Sequence, residues 1–595
     1  GRDQPIRGGK HVTGDKTDSR PFWLSFLPFL SWIGLLKDKA NLRADIISGI
    51  TVALVLVPQS MAYAQLAALP VYYGLYASFL PPMVAALFGS SRQLATGPVA
   101  VVSLMTAAAL GPLAAGNPEG YLAYAVLLAF MVGVFQFFLG VFRLGVLVDF
   151  LSHPVVIGFT NAGALIIATS QLSKLFGVTV EKAEAHYETV WRVIQAAMEH
   201  THMPTLWMGL LSIGLMFGLK KHLPKIPNVL VAVVVTTLLS WYTGFQAAGG
   251  RVVGEIPEGL PGFTLPVFDW DIMTQLIATA ITISLIGFME AISIAKAMAA
   301  RTRQRLDANQ ELIGQGLSNM VSGCFSGYPG SGSFSRSAVN INAGAVTGIS
   351  SVITGAMVGI TLLWLTPLLY YLPQATLASV IIMAVINLIK VEPIIHAWKA
   401  EPHDGAVAVI TFVLTLIMAP HLDKGIIIGV GLSIGLFLFR SMRPRVAVLS
   451  RFHDGTMRDI SVHHLPTSPA ISVMRFDGSL YFANAGYFET RVLEVVAANP
   501  ELRYIIIDGQ GINQLDATGE EVLHHLAERL KTNGIELLVA RMKKQFMDTV
   551  RKTGLIDVLG EDHFFSRIQF ALNYAWDGLG SDYDRDTCPL RNPNL

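Results

Sequence analysis

A long apolar region of the chain is interrupted by Tyr328-Pro-Gly-Ser-Gly-Ser-Phe-Ser-Arg-Ser-Ala-Val-Asn340. Pro329 and Gly330 end any helix that arrives from upstream, and the Ser333 hydroxyl can cap a new short helix. Irregular backbone at bilayer depth is tolerated only where protein or a water-filled cavity covers it. A helix that starts there presents unpaired N–H groups and a partial positive charge, which favour an anion, and Arg336 adds a full charge. The alternative is a connecting loop that leaves Arg336 at the membrane interface.

The composition is typical of a membrane protein. Of the 595 residues, 52% are hydrophobic and 14% are charged, whereas ordinary soluble domains have about 25% charged residues. The length leaves room for a many-helix membrane domain and a soluble domain. The net charge of +1 does not indicate a nucleic-acid partner. Cys324 and Cys588 are far apart and indicate neither a disulfide framework nor a metal site, and residues 1–20 lack the apolar core of a secretory signal peptide.

About fourteen apolar runs follow an interfacial segment rich in aromatic residues at 21–43. The runs lie near 44–64, 70–88, 97–110, 120–142, 145–175, 205–221, 227–246, 272–300, 308–326, 332–345, 347–371, 375–390, 403–419 and 423–440. We therefore expect an N-terminal segment at 1–43 and a membrane domain at 44–442. Two runs, 97–110 and 332–345, are too short to cross about 30 Å of hydrocarbon, which takes ~20 helical residues.

The two short runs occupy corresponding places, since each is the third run of its half of the domain. Gly97-Pro98 opens the first, and Pro329-Gly330 precedes the second. A pair of short, interrupted segments at matching positions is the best sequence indication of the binding site in an inverted-repeat transporter. Two half-helices whose N-termini meet would concentrate positive charge in the middle of the bilayer. This symmetry argues against the loop alternative.

Basic residues predict the orientation of the membrane domain. With the N-terminus inside, the inner connections contain Arg92, Arg143, Lys220, Lys221, Lys225, Arg301, Arg303, Arg305, Lys390, Lys399, Arg440, Arg443 and Arg445. The outer connections 111–119, 327–331 and 372–374 contain none, although 174–204 contains Lys174, Lys182 and Arg192. The distribution follows the positive-inside rule and predicts that both termini are cytoplasmic.

After Arg445 the composition changes to that of a soluble α/β domain, which we place at 443–578 with its linker, before a tail at 579–595. Strand-like runs lie at Ala470–Phe476, Ser479–Ala483, Arg503–Asp508 and Ile535–Ala540, and helical patterns lie near 485–498, 517–532, 543–552 and 564–576. The sequence of this domain contains no nucleotide-binding loop and no metal-ligand cluster. His524 and His525 are interpreted as ordinary helix residues.

An ordered set of motifs from about 40 to 578 resembles the SulP family, the sulfate permease family of anion transporters. The motifs are Val57-Pro-Gln-Ser-Met-Ala-Tyr-Ala64, Tyr73-Gly-Leu-Tyr76, Thr96-Gly-Pro98, Gly158-Phe-Thr160, Met289-Glu-Ala291 and Gly332-Ser-Phe-Ser-Arg-Ser-Ala-Val339. The C-terminal part resembles the STAS domain of that family, with Asp516-Ala-Thr-Gly519 before a helix. The resemblance implies a polytopic α-helical membrane protein whose fourteen transmembrane segments form a 7+7 inverted repeat. It also implies core and gate domains that move in an elevator-like manner, and a homodimer.

The resemblance places an anion site between the two half-helices and the first and eighth helices. The matching residues in this chain are Gln59, Tyr63, Val99, Ala100, Ser335 and Arg336. Gln59 and Tyr63 lie four residues apart on one helix face, and both can donate hydrogen bonds to an oxyanion. For Tyr63 a packing role is the alternative. Backbone N–H groups of the half-helices would complete a site made of donors, which suits sulfate because sulfate only accepts hydrogen bonds.

Glu290 lies in the middle of an apolar run, where an ionised carboxylate costs at least ~2.5 kcal/mol, so a functional role is the first hypothesis. The alternative is a structural partner for Arg336 or Lys296. With formal charges of +1 on Arg336, −1 on Glu290 and −2 on sulfate, the site would total −2, and protonation of Glu290 brings it to −1. Anion binding and proton uptake should then assist each other, which predicts proton–sulfate symport. Sodium-using relatives resemble this chain but carry an aspartate with a hydroxyl one turn later, where this chain has Glu290 and Ile294.

Other functions stay open on these observations. The same fold could carry bicarbonate, chloride or a dicarboxylate, it could form an anion channel, or it could act as a signalling scaffold. No residue pattern indicates an enzyme, a cofactor or a metal. Thr518 matches the position at which related STAS proteins carry a phosphorylatable residue, and an ordinary residue at a helix N-terminus is the alternative. We expect a multi-pass protein of a bacterial inner (plasma) membrane.

Overall fold

The computed structural model describes residues 26–114 and 116–594. Its internal contacts divide the chain into two compact units, with the boundary between Ser433 and Ile434. Most of the predicted N-terminal segment, residues 1–25, lies outside the described residues. The rest of that segment contains two 3₁₀ turns, Pro28–Ser31 and Ile33–Lys37, and the start of the first helix at Lys39.

Eighteen α-helices cover the apolar part of the described chain. They are α1 Lys39–Leu66, α2 Tyr72–Tyr76, α3 Leu80–Phe88, α4 Ala100–Leu113, α5 Pro118–Val141, α6 His153–Ser170, α7 Leu172–Phe176, α8 His186–His200, α9 Met203–His222, α10 Asn228–Thr243, α11 Trp270–Thr302, α12 Ala308–Cys324, α13 Phe334–Asn342, α14 Ile349–Ile360, α15 Gln374–Ile386, α16 Glu392–Ala400, α17 Pro402–Met418 and α18 Leu422–Met442.

Each of the fourteen predicted runs contains a helix, which confirms the predicted segments. Within the described residues, 7 helices are long and apolar enough to cross a membrane by themselves, and four of the remaining runs contain a shorter apolar helix, namely Ala100–Leu113, Asn228–Thr243, Gln374–Ile386 and Pro402–Met418. The first helix begins earlier than its run, at Lys39, because the Asp38 carboxylate accepts a hydrogen bond from the Ala40 amide at 3.0 Å and caps the helix.

The two short runs form half-helices, as predicted. α4 has 14 residues and α13 has 9, so at 1.5 Å per residue they span about 21 Å and about 14 Å, less than the bilayer core. Ser333 caps α13, since its Oγ accepts a hydrogen bond from the Arg336 amide at 3.3 Å. At the start of α4, Val99 offers no capping side chain.

Two short buried strands hold the starts of the half-helices together. β1 (Ala95–Gly97) pairs antiparallel with β2 (Ser331–Ser333), with Ala95 opposite Ser333 and Gly97 opposite Ser331. Each strand leads into its half-helix within a few residues, so the antiparallel pairing brings the two helix N-termini to one place. The sequence did not predict these strands, because Ala-Thr-Gly and Ser-Gly-Ser are too short and too poor in β-branched and aromatic residues to carry a strand pattern.

The second unit contains a six-stranded sheet in the order β4-β3-β5-β6-β7-β8. The strands are β3 Val446–Arg451, β4 Met457–Asp459, β5 Ile471–Phe476, β6 Tyr504–Asp508, β7 Glu536–Ala540 and β8 Phe564–Phe565, and the helices are α19 Ile460–His463, α20 Ala485–Ala498, α21 Ala517–Thr532, α22 Lys544–Thr553, α23 Leu555–Leu559 and α24 Ile568–Leu579. β5 to β8 run parallel, and β3 runs antiparallel to both of its neighbours. Helices α20–α23 contribute to one apolar cluster and α24 to another.

One predicted strand of this unit is wrong. Residues 479–483 form no strand: Leu480 makes only an isolated parallel bridge to Leu515, and the chain then turns. The Asn484 side chain stabilises the turn, because it accepts a hydrogen bond from the Tyr481 amide at 3.1 Å and donates one to the Ser479 carbonyl at 2.9 Å. Strands β3, β4 and β8 were missed. The predicted helices at 485–498 and 517–532 match α20 and α21.

Candidate functional site

The half-helix starts present free backbone donors. Among the described residues, the Ala100, Val101 and Val102 amides of α4 have no hydrogen-bond partner. Such unpaired N–H groups at a helix N-terminus carry a partial positive charge and bind anions. At α13 the side chain of Ser335 is exposed, and its Oγ lies 3.4 Å from the Ser333 Oγ.

Arg336 is fully buried and joins three elements of the site. Its Nη2 donates to the Pro98 carbonyl oxygen at 2.7 Å, just before α4, and its Nη1 donates to the Gln59 Oε1 of α1 at 3.1 Å. Its Nε is buried and has no hydrogen-bond partner within the described chain. The guanidinium therefore holds the half-helices beside α1 and keeps further N–H groups, among them the Nε–H, for another acceptor.

Gln59 and Tyr63 share one face of α1, as predicted, and each is only 6% exposed. Because Arg336 occupies the Gln59 carbonyl oxygen, the amide group of Gln59 is left with its two N–H donors. Tyr63 lies within electrostatic range of both Arg336 and Glu290. Its hydroxyl has no hydrogen-bond partner in the part of the chain that the structure describes. Both side chains can donate hydrogen bonds in the same region as the free amides.

Glu290 lies on α11 where this helix packs against β2. The Ser331 Oγ donates to the Gly287 carbonyl oxygen at 2.5 Å, and a Cβ placed on Gly332 would lie 3.1 Å from the Ala291 Cα. Glu290 forms no hydrogen bond and no ion pair within 4.0 Å to any described residue. The structure therefore does not pair Glu290 with Arg336 or Lys296, which was the structural alternative to a functional role. Lys296 itself is exposed.

A buried polar network fixes the turn before β2, and sequence reasoning missed it. The Asn319 side chain of α12 accepts from the Gly330 amide at 2.9 Å and donates to the Gly330 carbonyl at 3.2 Å and to the Gln136 Oε1 at 2.9 Å. The Gln136 amide donates in turn to the Ser284 carbonyl of α11 at 3.1 Å. Each member is satisfied, so the network fixes the backbone instead of destabilising the core.

Further missed residues support the other half-helix. The Gln315 amide donates to the Thr96 Oγ1 of β1 at 2.8 Å, and the Tyr328 hydroxyl lies 3.1 Å from the Ser103 Oγ of α4. Gln315 and Asn319 are four residues apart on one face of α12. A polar stripe within an apolar run is a functional hypothesis by default, so this spacing was the available signal.

Comparisons with known proteins show the family of this chain. A family model described as the sulfate permease family matches residues 42–411, and a STAS domain model matches residues 464–571. The chain belongs to the sulfate permease family. It is therefore an anion transporter with a C-terminal STAS domain, which confirms the family resemblance.

Members of the sulfate permease family in plants are similar over almost the whole chain. Sulfate transporter 4.1, chloroplastic, from Arabidopsis thaliana is 36% identical over 573 residues, covering 92% of this chain and 82% of that protein. High affinity sulfate transporter 2 from Stylosanthes hamata is 31% identical over 589 residues, covering 94% and 88%. The substrate in each of these names is that of the relative.

Solved structures of two transporters share the fold. Murine SLC26A9, an anion transporter, superposes with a TM-score of 0.87 at 24% identity and covers 96% of both chains. The transmembrane domain of a cyanobacterial bicarbonate transporter, BicA, superposes with a TM-score of 0.57 at 25% identity, over 66% of this chain and 98% of that one. The fourteen-segment inverted repeat followed by a STAS domain is thus the architecture of this permease.

Thr518 lies in the STAS domain of this permease and not in the anion site. It is exposed in the first turn of α21, whose N-cap Asp516 accepts from the Gly519 amide at 2.7 Å. A kinase could reach its hydroxyl, and a phosphate would lie at a helix N-terminus, where negative charge is favoured. Regulation through Thr518 stays a prediction.

Gly330→Ala in this permease is expected to reduce anion transport at least tenfold, or by about 1.4 kcal/mol in the transport barrier. The added Cβ would lie 2.6 Å from the Gly97 carbonyl oxygen and would push the two strands apart. Uptake by proteoliposomes per folded protein measures the effect. Gly163→Ala in α6 is the matched control, because no atom lies within 4 Å of its new Cβ. Equal uptake by the two variants would show that the spacing of the strands is unimportant.

Proposed function

We propose that this protein is a secondary active transporter that carries sulfate together with protons by an elevator-like alternating-access mechanism. The observation that carries the proposal is the Glu290 carboxylate, which lies unpaired beside β2 while the buried Arg336 holds the neighbouring half-helix starts. Because the acid and the anion site are neighbours, one transport cycle can bind and release both a proton and an anion. The plant relatives named as sulfate transporters support the choice of anion.

The donor and acceptor inventory favours an oxyanion. Arg336 engages the two nearby acceptors, the Pro98 carbonyl and the Gln59 carbonyl oxygen. What remains for a ligand is the Arg336 Nε–H, the Gln59 amide, the Tyr63 hydroxyl and the backbone N–H groups of α4. A ligand that only accepts hydrogen bonds, such as sulfate, satisfies these donors, whereas a cation finds few acceptors.

Charge couples the proton to the anion. Ionised Glu290 near a dianion adds repulsion that no described cation within 4.0 Å of Glu290 relieves. Protonation removes this repulsion, so sulfate binding and proton uptake assist each other by the same free energy. The direction of transport then follows the proton gradient, and uptake increases as the external pH falls.

The elevator-like motion is supported by how the site is assembled. Arg336 links α13 to α1, Ser331 links β2 to α11, and Asn319 links Gly330 to α12. Elements joined by such bonds move as one body, so the anion site would travel intact. The homodimer is the corresponding assembly proposal, and site-directed cross-linking in native membranes tests it.

The second candidate is a transporter of the same fold for bicarbonate, chloride or a dicarboxylate. It is favoured by the structural similarity to the transmembrane domain of a bicarbonate transporter. Sulfate is preferred because the relatives above 30% identity named here are sulfate transporters. The cytoplasmic termini and the bacterial inner membrane stay predictions, since these relatives are plant proteins.

The test is uptake of radiolabelled sulfate into proteoliposomes with and without an inward proton gradient. We expect the gradient to drive accumulation, selenate to compete strongly, and bicarbonate and fumarate to compete weakly. Replacing external potassium by sodium at constant pH is the control. Uptake that follows sodium instead of protons would contradict symport with protons, and strong competition by bicarbonate would favour the second candidate.

A further inference from the structure

A cavity of about 1140 Å³ lies at the C-terminal end of α1. In the predicted orientation this end of the helix is on the side of the membrane away from the cytoplasm. It is bounded by α4, by α6 and α7, by α8 and by the segments 249–251 and 417–422. Gln65 and Leu104 contribute to its wall, and we call it the outer cavity. Its volume is slightly above the range of about 300–1,000 Å³ that is usual for small-molecule sites.

The outer cavity is positively charged. Three basic side chains face it, Lys174, Lys182 and Arg251, and Glu184 is the acid of its lining. None of the three basic side chains is within 4.0 Å of a carboxylate in the described part of the chain. Lys174 lies within electrostatic range of the other two cations. Together these four side chains give the lining a formal charge of +2.

His186 also lines the cavity but adds no charge at neutral pH. Burial, together with the charge of Lys182, lowers the pKa of His186 to about 4. A hydrogen bond of 2.7 Å joins its Nε2 to the Thr169 Oγ1. The positive charge of the outer cavity at neutral pH therefore comes from lysine and arginine side chains and not from His186.

The rules of membrane topology do not explain these basic residues. Basic residues are normally concentrated in inner connections, yet Lys174, Lys182 and Arg251 follow segments that end on the predicted outer side. Mutually repelling cations without acidic partners are costly unless an anion is present. The exception to the positive-inside distribution thus coincides with the cavity.

Donors remain free inside the outer cavity. The Lys174 Nζ donates to the Gln65 carbonyl at the end of α1 at 3.2 Å, which leaves two of its three N–H groups. The Arg251 Nη2 donates to the Thr179 Oγ1 at 2.6 Å, which leaves the rest of its guanidinium. Ammonium and guanidinium groups together suit a compact oxyanion.

The outer cavity lies next to the anion site along α4. Leu104 lines the cavity and is itself 8% exposed. It follows Ala100, the first residue of α4, by one helical turn, or about 6 Å along the axis. An anion held in the outer cavity would therefore lie close to the half-helix starts and be separated from them by buried side chains.

We propose that the outer cavity is a second binding site, at which a small tetrahedral divalent oxyanion is captured from the outside before it enters the site at the half-helix starts. The site raises the local anion concentration and acts on the rate of loading. It rests on the chain's being an anion transporter and not on proton coupling.

The first experiment probes the outer cavity without transport. In the Arg336→Ala variant, reconstituted in phosphatidylcholine vesicles, the labelling of Lys182 by a membrane-impermeant amine reagent is followed by mass spectrometry. We expect external sulfate to slow the labelling severalfold relative to chloride at the same ionic strength. The added change Arg251→Gln should remove the protection. The matched control is Arg192→Gln on α8, whose guanidinium donates to the Glu181 carbonyl outside the cavity lining, and it should keep the protection.

The second experiment measures transport with Arg336 in place. Arg251→Gln should raise the KM for external sulfate severalfold, leave kcat nearly unchanged and weaken the dependence of kcat/KM on ionic strength, and Arg192→Gln should do none of these. Labelling of Lys182 that does not respond to sulfate would overturn the proposal. Labelling that is already slow without sulfate once the vesicles contain anionic lipid would also overturn it, because the cluster would then bind a lipid headgroup. Protection without proton-driven sulfate uptake would overturn only the proposed symport.

Discussion

Sulfate transport by Arg336→Ala is expected to fall by about 100-fold or more in kcat/KM. The change removes two hydrogen bonds from a charged donor, each worth about 1.5–3 kcal/mol, and leaves the Pro98 carbonyl and the Gln59 side chain without their partner. It also removes the free Nε–H and the positive charge that faces the dianion. Initial uptake rates in proteoliposomes, normalised to correctly folded protein, measure the loss.

Two further variants separate chemistry from misfolding. Arg336→Lys keeps the charge but lacks the planar guanidinium, so it cannot donate to the Pro98 carbonyl and the Gln59 Oε1 in the same geometry. Intermediate transport is therefore expected. Arg305→Ala removes an exposed arginine from a predicted inner connection and should transport normally. Near-normal sulfate affinity in Arg336→Ala would contradict the role of this residue in the site.

Glu290→Gln is expected to bind sulfate and to lose proton-driven accumulation. The glutamine resembles the protonated acid, so the anion no longer meets a negative charge, and no proton is gained or released in the cycle. Sulfate should then equilibrate down its own gradient at all pH values, and the increase of uptake at low external pH should disappear. Uptake and sulfate binding are measured between pH 5 and pH 8, with the exposed Glu199→Gln as the control.

The pH profile of sulfate uptake distinguishes a proton-carrying Glu290 from a purely structural one. A structural acid would lower the amount of folded protein or the rate at every pH and would leave the shape of the profile intact. Retention of the wild-type pH dependence in Glu290→Gln would show that another group carries the proton.

The helix starts of the site were predictable, and their contacts were not. Pro329, Gly330 and Ser333 carry local signals that end one helix and cap the next, and α13 begins where these signals place it. The partners of Arg336 are a backbone carbonyl, which has no sequence signature, and Gln59 on a distant helix. Long-range hydrogen bonds of this kind depend on the packing of the whole domain.

In the α/β unit, too, elements with local sequence signals were predictable and others were not. Helix α21 was predicted from its periodic pattern, and its Asp516 cap has a local signal. The short apolar run Leu480–Phe482 resembles a strand, but the hydrogen bonds of Asn484 stabilise a turn there. Strand β3 begins directly after Arg443-Pro444-Arg445, in a stretch that we assigned to the linker of the STAS domain.

The most direct test of the anion site is a cryo-electron microscopy map of the permease in phosphatidylcholine nanodiscs with selenate, a heavier analogue of sulfate. The account predicts density between the starts of α4 and α13, within hydrogen-bond distance of the Arg336 Nε and of the free amides after Val99. An empty space there, with the two half-helices directed away from each other or Arg336 facing lipid or bulk water, would contradict it.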